Sequence, residues 1–407
     1  MSSPSLVAPP DAEAAPGLPA NTHVHLPPNF SAFDDVEDAV SAAAREGIRV
    51  MGASNFHDLR VYRRFTEAAR AAGVVPLYGL ELISVVEPLR AAGIRVNDPA
   101  NPGRMYLCGK GVDPFREPTP AARRIDAVSR AANRERAARM TSLLRERFAS
   151  AGVALYLSDT AIAADVAARA GVPVDWVVLQ ERHLAMAFQR ALFEAVAPDD
   201  RAARLEAAYG AAPSAAEDTG AVQGEIRSRL MRAGGPAFVE ETALSFDDAY
   251  HLILEWGGIP AYPTLADGTS PLCPFEADPH ELVQRLQDLG IHAAELIPIR
   301  NAPETVDTYV HAFRSAGMVV TAGTEHNTPA RIPVEPTARG GSALSDATRA
   351  ILYEGACVVA GHQAERAAGR PGFVGADGQP GPGDAEARIR RFAAIGAELI
   401  EHRSVPA

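Results

Sequence analysis

The stretch that decides the fold is NTHVHLPPNFSAFDDVEDAVSAAAREGIRVMGAS (residues 21–54), together with the thirty residues that follow it. Short apolar runs such as IRVMGAS (48–54) and VVPLYGLELIS (74–84) alternate with segments of helical periodicity such as LRVYRRFTEAARAAG (59–73). Each strand and its helix occupy about 30 residues, which is typical of a βα unit. The alternation predicts an α/β protein with a parallel sheet, either a barrel or a doubly wound sheet.

The same alternation returns in the second half of the chain. The apolar strand candidates IPAYPTL (259–265), AAELIPI (293–299) and MVVTAG (318–323) are separated by helical segments. The region between the two halves is mostly helical and rich in arginine, so we interpret it as an insertion. The sequence thus predicts four parts, which are a disordered leader (1–20), a barrel (21–112 and 245–356), a helical insertion (113–244), and a C-terminal loop and helix packed on the barrel (357–407).

The composition limits the classes of function. Acidic residues outnumber basic residues by 51 to 39, and the formal net charge of -12 argues against a nucleic-acid partner. No apolar run approaches the roughly 18 residues of a membrane span, and the N-terminus lacks the basic region of a secretory signal. Three widely spaced cysteines suggest neither a disulfide framework nor a thiolate zinc site. We therefore expect a cytoplasmic protein without a membrane partner, and the sequence does not indicate its oligomeric state.

Ligand-type side chains stand at the ends of the predicted strands. His23 and His25 are two residues apart in the first strand, so both point to one face, as two imidazoles that share a metal ion require. Glu81 ends the third strand, and Glu325 follows the last strand of the barrel. Because α/β barrels build active sites at the carboxyl ends of their strands, these four residues predict a metal site there.

A series of motifs runs through the chain: THVHL (22–26), SNFHD (54–58), YGLELIS (78–84), LQERHLAMAFQRAL (179–192), IPAYPTL (259–265) and GTEHN (323–327). In order and spacing they resemble the D-x-H-x-H, T-D-H-(D/N), G-x-E, R-P-H-(I/F)-A, A-H-P and G-S-D-x-H motifs of the PHP (polymerase and histidinol phosphatase) metal-dependent phosphoesterases. Within that family, they resemble the branch that hydrolyses small nucleotides and carries a helical insertion. The resemblance implies a distorted (β/α)7 TIM-type barrel with an inserted, mostly helical subdomain.

The resemblance also implies a set of metal ligands, which are His23, His25, Glu81, His183 and Glu325, with His57 one residue beyond a further ligand position. Other positions depart from the family pattern: Asn55 replaces an aspartate, Phe56 and Tyr262 replace histidines, and Asn327 stands where the last histidine is expected, directly after His326. Two retained carboxylates suit one or two divalent ions. Histidine and carboxylate ligands together favour zinc or manganese, with iron(II) as a further candidate.

The remaining polar residues of these motifs receive candidate roles. Tyr262, His326 and Asn55 are candidate catalytic residues, and Arg182, Arg300 and Asn327 are candidate substrate-binding residues. His362, after a short apolar run, is a candidate gate or substrate contact. We expect a metal-dependent, phosphoesterase-like hydrolase that acts on a small anionic metabolite through a metal-activated water. Two alternatives stay open: a mononuclear lyase, isomerase or non-phosphate hydrolase acting on a sugar or biosynthetic intermediate, and a non-catalytic barrel with a binding role.

Overall fold

The computed structural model describes residues 18–402. Most of the predicted leader (1–17) and the segment 403–407 lie outside the described residues. The first strand begins at Ala20, within the range predicted as leader. Among residues 18–402, no helix is long and apolar enough to cross a membrane.

Within the described residues, eight strands form one sheet. The strands are β1 (Ala20–Val24), β2 (Val50–Phe56), β3 (Val75–Val85), β4 (Arg104–Lys110), β5 (Leu244–Ser245), β6 (Ile259–Thr264), β7 (Ala293–Leu296) and β8 (Val319–Ala322). Their order is β1-β2-β3-β4-β6-β7-β8, and the short β5 pairs with the end of β3. Strands β1 to β3 and β6 to β8 are parallel, whereas β4 is antiparallel to both of its neighbours.

The sheet closes on itself between β8 and β1. The amide of His25 donates to the carbonyl of Glu325 over 2.9 Å, and the amide of Glu325 donates to the carbonyl of His23 over 2.8 Å. These bonds join the carboxyl end of β1 to the residues that follow β8. The protein is therefore an α/β barrel of the TIM type, as the sequence predicts.

The antiparallel strand β4 differs from the predicted, wholly parallel sheet. The link from β3 to β4 contains only the short helix α3 (Glu87–Ala91). A helix of this length rises about 7.5 Å. If β4 were parallel to β3, the connection would have to run back the length of a strand, roughly 23 Å, before β4 begins. The chain therefore reverses, and β4 carries Lys110 into the barrel at the level of Gly79.

Helices cover the outside and one end of the barrel. The outer layer consists of α1 (Val36–Arg45), α2 (Tyr62–Ala71), α9 (Phe246–Glu255), α10 (Pro279–Asp288) and α11 (Pro303–Ser315). Helices α12 (Asp346–Ala367) and α13 (Ala385–Glu401) pack together. Val359 of α12 shares a core cluster with Val50 and Val75 at the starts of β2 and β3. The domain boundary predicted at residue 356 falls inside α12.

The region between β4 and β5 is helical and has its own core. It contains α4 (Pro120–Ser150), α5 (Asp159–Ala170), α6 (Glu181–Ala195), α7 (Pro198–Tyr209) and α8 (Thr219–Glu225), and α8 continues into a π-helical turn (Ile226–Met231). Phe148, Phe188 and Ile226 are among the buried residues of this second core. The first core joins the barrel to its outer helices. The insertion is thus held together by its own apolar faces.

Candidate metal centre

Two histidines at the end of β1 and a glutamate of β3 converge at the carboxyl end of the barrel. His23 Nε2 lies 3.3 Å from His25 Nε2, and the Glu81 carboxylate lies 3.9 Å from His23 Nε2 and 3.7 Å from His25 Nε2. Donors arranged tetrahedrally around zinc stand about 3.3 Å apart when each bond is about 2.0 Å long. All three side chains are buried, and their donor set fits one divalent ion with open positions for water or substrate.

Glu295 of β7 orients one of these histidines. Its Oε2 accepts a hydrogen bond of 2.6 Å from His23 Nδ1, so the proton lies on Nδ1 and the lone pair of Nε2 faces Glu81 and His25. A carboxylate behind a ligating histidine selects the tautomer and raises the basicity of the ring in metal sites. The hydrogen-bond pattern of His23 is therefore that of a histidine prepared to bind a metal ion through Nε2.

Lys110, the only lysine of the chain, balances the charge of Glu295. Its Nζ lies 2.5 Å from Glu295 Oε1 and also donates to the carbonyl of Thr22, and both charged side chains are almost fully buried. Burial alone would raise the pKa of Glu295, but Lys110 and His23 together lower it to about 2. Glu295 is thus ionised at neutral pH, which its role as acceptor from His23 requires.

The centre itself lacks positive charge. Burial, together with the neighbouring carboxylates Glu325 and Glu295, raises the pKa of Glu81 to about 7, although His23 opposes this shift. Burial also lowers the pKa of His25 to about 3, so this ring is neutral and able to act as a ligand at physiological pH. A divalent cation would supply the missing charge. A second donor group of His23, Cys108 and Glu295 fits less well, because burial keeps the pKa of the Cys108 thiol high and Glu295 already binds Lys110.

Glu325 lies beside the three donors but has other partners. Its carboxylate pairs with the guanidinium of Arg300 and accepts a hydrogen bond of 2.6 Å from the Asn327 side chain. Burial would raise the pKa of Glu325, but Arg300 and the two histidines lower it to about 2. The structure thus places the predicted ligand Glu325, and the predicted substrate-binding residues Arg300 and Asn327, in one hydrogen-bonded group next to the centre.

His183 and His57 do not join the donor group found within residues 18–402. His183 lies in the first turn of α6, where its Nδ1 accepts a hydrogen bond of 3.0 Å from the Gln180 amide and its ring packs edge-on against Phe30. The His57 Nδ1 lies 3.3 Å from the Ser129 hydroxyl of α4. Burial lowers the pKa of both rings to about 3. In this geometry their Nδ1 atoms are used in contacts with other parts of the fold.

The three predicted catalytic residues also have structural partners. His326 is bonded through Nδ1 to the Thr324 hydroxyl over 2.7 Å and through Nε2 to the Ile332 carbonyl over 2.9 Å. Asn55 joins two strand ends, because its side chain both donates to and accepts from the backbone of Leu26. Both side chains are buried and already hydrogen-bonded, and neither lines the cavity that His25, Glu81 and Glu325 line.

Tyr262 faces away from the donor group. Its hydroxyl donates to Glu276 over 2.7 Å, and its ring packs near Phe275 on the helix side of β6. Burial and the neighbouring Glu276 raise the pKa of Tyr262 well above its ordinary value. Tyr262 therefore occupies the apolar layer between β6 and α10 rather than the site that the sequence motif predicts for it.

His362 lies at the opposite end of the barrel. Its Nε2 donates to the carbonyl of Gly257, just before β6, over 2.6 Å, and its Nδ1 accepts from the Phe373 amide over 2.9 Å. Both ring nitrogens are therefore occupied in the layer below the amino-terminal ends of the strands. The predicted role of His362 as a gate or substrate contact is wrong, because the carboxyl-end centre lies on the other side of the barrel.

A cavity of about 380 Å³ connects the centre to the insertion. Its barrel wall includes His25, Glu81, Arg300 and Glu325, and its opposite wall is formed by residues of the insertion, which are Asn133, Arg136, Leu179, Gln180, Glu181, Arg182, Arg227, Met231, Arg232, Ala233, Phe238 and Glu241. A volume of this size accepts a small organic molecule. The candidate metal centre therefore opens into a space that the insertion helps to enclose.

The sequence analysis missed Glu295 and Lys110. A signal for each was present, since Glu295 interrupts the apolar strand AAELIPI and Lys110 is the only lysine among 407 residues. A charged residue in the middle of a buried strand is almost always paired. The partner could not be named from the sequence, because the two positions are 185 residues apart.

Comparisons with known proteins support the fold. No protein-family model matches the chain, and no curated protein matches it in sequence. Among solved structures, a candidate metal-dependent phosphoesterase from Bifidobacterium adolescentis matches with a TM-score of 0.54 and 17% identity, over 82% of this chain and 95% of that chain. An amidohydrolase from Chromobacterium violaceum, solved with bound sulfate and no metal, matches with a TM-score of 0.52 and 16% identity, over 80% of this chain and 93% of that chain. At these identities the likeness shows a common barrel fold.

Proposed function

We propose that this protein is a metal-dependent hydrolase with one divalent ion held by His23, His25 and Glu81. The observation that carries the proposal is the convergence of these three buried donors, 3.3 to 3.9 Å apart, at the carboxyl end of the barrel, where His25 and Glu81 line a cavity. Two histidines and a glutamate are also the protein ligands of several catalytic zinc sites. The likeness to a candidate metal-dependent phosphoesterase and to an amidohydrolase agrees with this class of reaction.

The residues around the centre have different roles in the proposed reaction. When bound, a divalent ion supplies Lewis-acid polarisation and activates water for attack. Glu295 holds His23 in the ligating tautomer, and the ion pair of Glu295 with Lys110 keeps that carboxylate charged. Residues of the insertion form part of the cavity wall, where electrostatic interactions are stronger than in bulk water. We propose zinc or manganese as the ion and a small anionic metabolite as the substrate.

Metal analysis combined with a substrate panel tests this function. We expect about one zinc or manganese ion per chain in freshly purified protein, and loss of hydrolysis on chelation with recovery when the ion is restored. The panel should contain phosphomonoesters, phosphodiesters, carboxylic esters and amides. A protein that binds less than half an equivalent of metal, even after metal is added, would contradict the proposal.

A second candidate is a mononuclear centre that acts on a bond other than a phosphoester. The specific observation that favours it is the small donor set, because three donors hold one ion whereas phosphoester cleavage commonly uses paired ions. The same panel separates the two candidates. Turnover of phosphoesters above all other substrates supports the phosphoesterase, and turnover confined to esters or amides supports the second candidate.

We expect the group of Arg300, Glu325 and Asn327 to affect the dissociation constant of the ion. Arg300 neutralises Glu325, and the positive charge of Arg300 near the centre repels a cation. Arg300→Ala removes this repulsion and leaves the Glu325 carboxylate without its paired cation, so the dissociation constant for zinc should fall at least about ten-fold, a difference of about 1.4 kcal/mol. Competition with a chromophoric chelator measures the constant. Weaker zinc binding in Arg300→Ala would show that Arg300 supports the centre in another way.

A further inference from the structure

Arg182 is a cation without an anionic partner at the cavity wall. It lies in the first turn of α6, lines the cavity and is half-buried. Within residues 18–402 it has no hydrogen bond or ion pair, although Glu325 and Arg300 are near enough to influence it. Burial, together with the like charges of Arg227 and Arg300, lowers the pKa of Arg182 to about 10, although Glu325 opposes this shift. The guanidinium nevertheless remains charged at neutral pH.

Arg227 of the insertion lies in the same wall with unused donors. It belongs to the π-helical turn Ile226–Met231, and its Nε is buried with no hydrogen-bond partner among the described residues. Its terminal nitrogen forms a long ion pair of 3.6 Å with Glu181, whose carboxylate Arg136 holds at 2.5 Å. π-Helical turns often occur at functional sites, because the extra residue redirects side chains. This turn places Arg227 at the cavity.

Two neighbouring guanidinium groups with free donors are unfavourable in a partly buried space. Each loses hydration, the like charges repel, and a buried donor without an acceptor costs about 1–3 kcal/mol. By contrast, two arginines of the same cavity have close carboxylate partners: Arg104 lies 3.2 Å from Glu241, and Arg136 lies 2.5 Å from Glu181. An oxyanion placed between Arg182 and Arg227 would satisfy the free N–H groups and remove the repulsion. The planar fork of arginine suits phosphate and carboxylate oxygens.

We propose that Arg182 and Arg227 form an oxyanion subsite that binds a phosphate or carboxylate group of the substrate, next to the metal centre. The assignment of this group to a substrate rests on the proposed function, whereas binding of an oxyanion to the two arginines does not require the metal. The substrate class is then a small molecule with a fixed anionic group in addition to the bond that is cleaved. Met231 and Phe238 of the same wall offer apolar contacts for its carbon skeleton.

Titration calorimetry with inorganic phosphate and with malonate tests the subsite. Wild type is compared with Arg182→Gln and Arg227→Gln, and each substitution removes one guanidinium while keeping a polar, uncharged side chain. We expect wild type to bind at least one of the two anions, and each variant to raise its dissociation constant at least about ten-fold. Preference for phosphate or for malonate tells whether the natural group is a phosphoryl group or a carboxylate.

Arg190→Gln is the matched control, because Arg190 lies on the same helix α6 but is exposed and outside the cavity wall. Its dissociation constant should stay within about two-fold of wild type, since exposed charges are screened by salt. An equal loss in Arg190→Gln, unchanged binding in Arg182→Gln and Arg227→Gln, or no anion binding by wild type would each overturn the subsite.

Glu81→Gln separates the subsite from the proposed function. In this variant, anion binding that is lost on substitution of Arg182 or Arg227 supports the subsite. It does so even if metal analysis finds no metal in the protein. Conversely, wild type that holds metal and hydrolyses its substrate, but binds anions equally well without Arg182 and Arg227, retains the proposed function and loses the subsite. The two failures therefore give different results.

Discussion

Replacing Glu295 with alanine is expected to lower the free energy of unfolding by about 3–5 kcal/mol. The Glu295 side chain is fully buried, and its carboxylate binds Lys110, His23 and the hydroxyl of Thr22. In the alanine variant, the Lys110 charge would stay buried inside the barrel without a carboxylate partner. An unpaired buried charge is strongly destabilising. Urea denaturation measures the loss, followed by the fluorescence of Trp176 and Trp256, which both pack against the barrel core.

Two further variants identify the cause of that loss. In Glu295→Leu/Lys110→Met both charges are absent, so at least half of the lost stability should return, because apolar replacement of a whole buried pair is often neutral. Glu281→Ala breaks an exposed pair with Arg285 on α10 and should cost less than about 0.5 kcal/mol. A double variant as unstable as Glu295→Ala would assign the loss to the hydrogen bonds of His23 and Thr22 instead of the unpaired lysine.

The part of the centre that could be predicted from the sequence depends on periodicity alone. His23 and His25 share a face because strand side chains alternate, and Glu81 lies beside them because parallel strands end at the same edge. These relations hold whatever the loops do. The direction of the antiparallel strand β4 could not be predicted from periodicity, because it depends on the short link through α3 and on the pairing with β6.

The histidines that the structure leaves out of the donor group show the limit of motif reasoning. A motif gives the position of a residue along the chain, but the direction of the ring follows from local backbone geometry. His326 has a φ of 52° and His57 a φ of 51°, in the left-handed region, so each follows a sharp turn of the backbone. His183 is held by the backbone amide at the start of α6. Neither kind of constraint can be read from residue types.

Replacing Glu81 with glutamine is expected to raise the dissociation constant for zinc at least about 100-fold, more than loss of an outer-shell partner costs. Glutamine keeps the size of the side chain but removes the carboxylate of the His23, His25 and Glu81 group. Neither histidine lies within hydrogen-bond distance of that carboxylate. With the ligand charge lost, hydrolysis should fall at least about 1,000-fold in kcat/KM, a change of about 4 kcal/mol. Chelator competition measures the affinity, and circular dichroism verifies that the variant is folded.

Glu325→Gln is the informative partner of that experiment, because the sequence resemblance makes Glu325 a ligand whereas the geometry pairs it with Arg300. If the ion is held by His23, His25 and Glu81, Glu325→Gln should weaken zinc binding less than about ten-fold, through the unbalanced charge of Arg300 alone. Equal losses in Glu81→Gln and Glu325→Gln would mean that Glu325 leaves Arg300 when the metal binds. The ratio of the two dissociation constants thus distinguishes a three-ligand centre from a four-ligand one, without reference to the substrate.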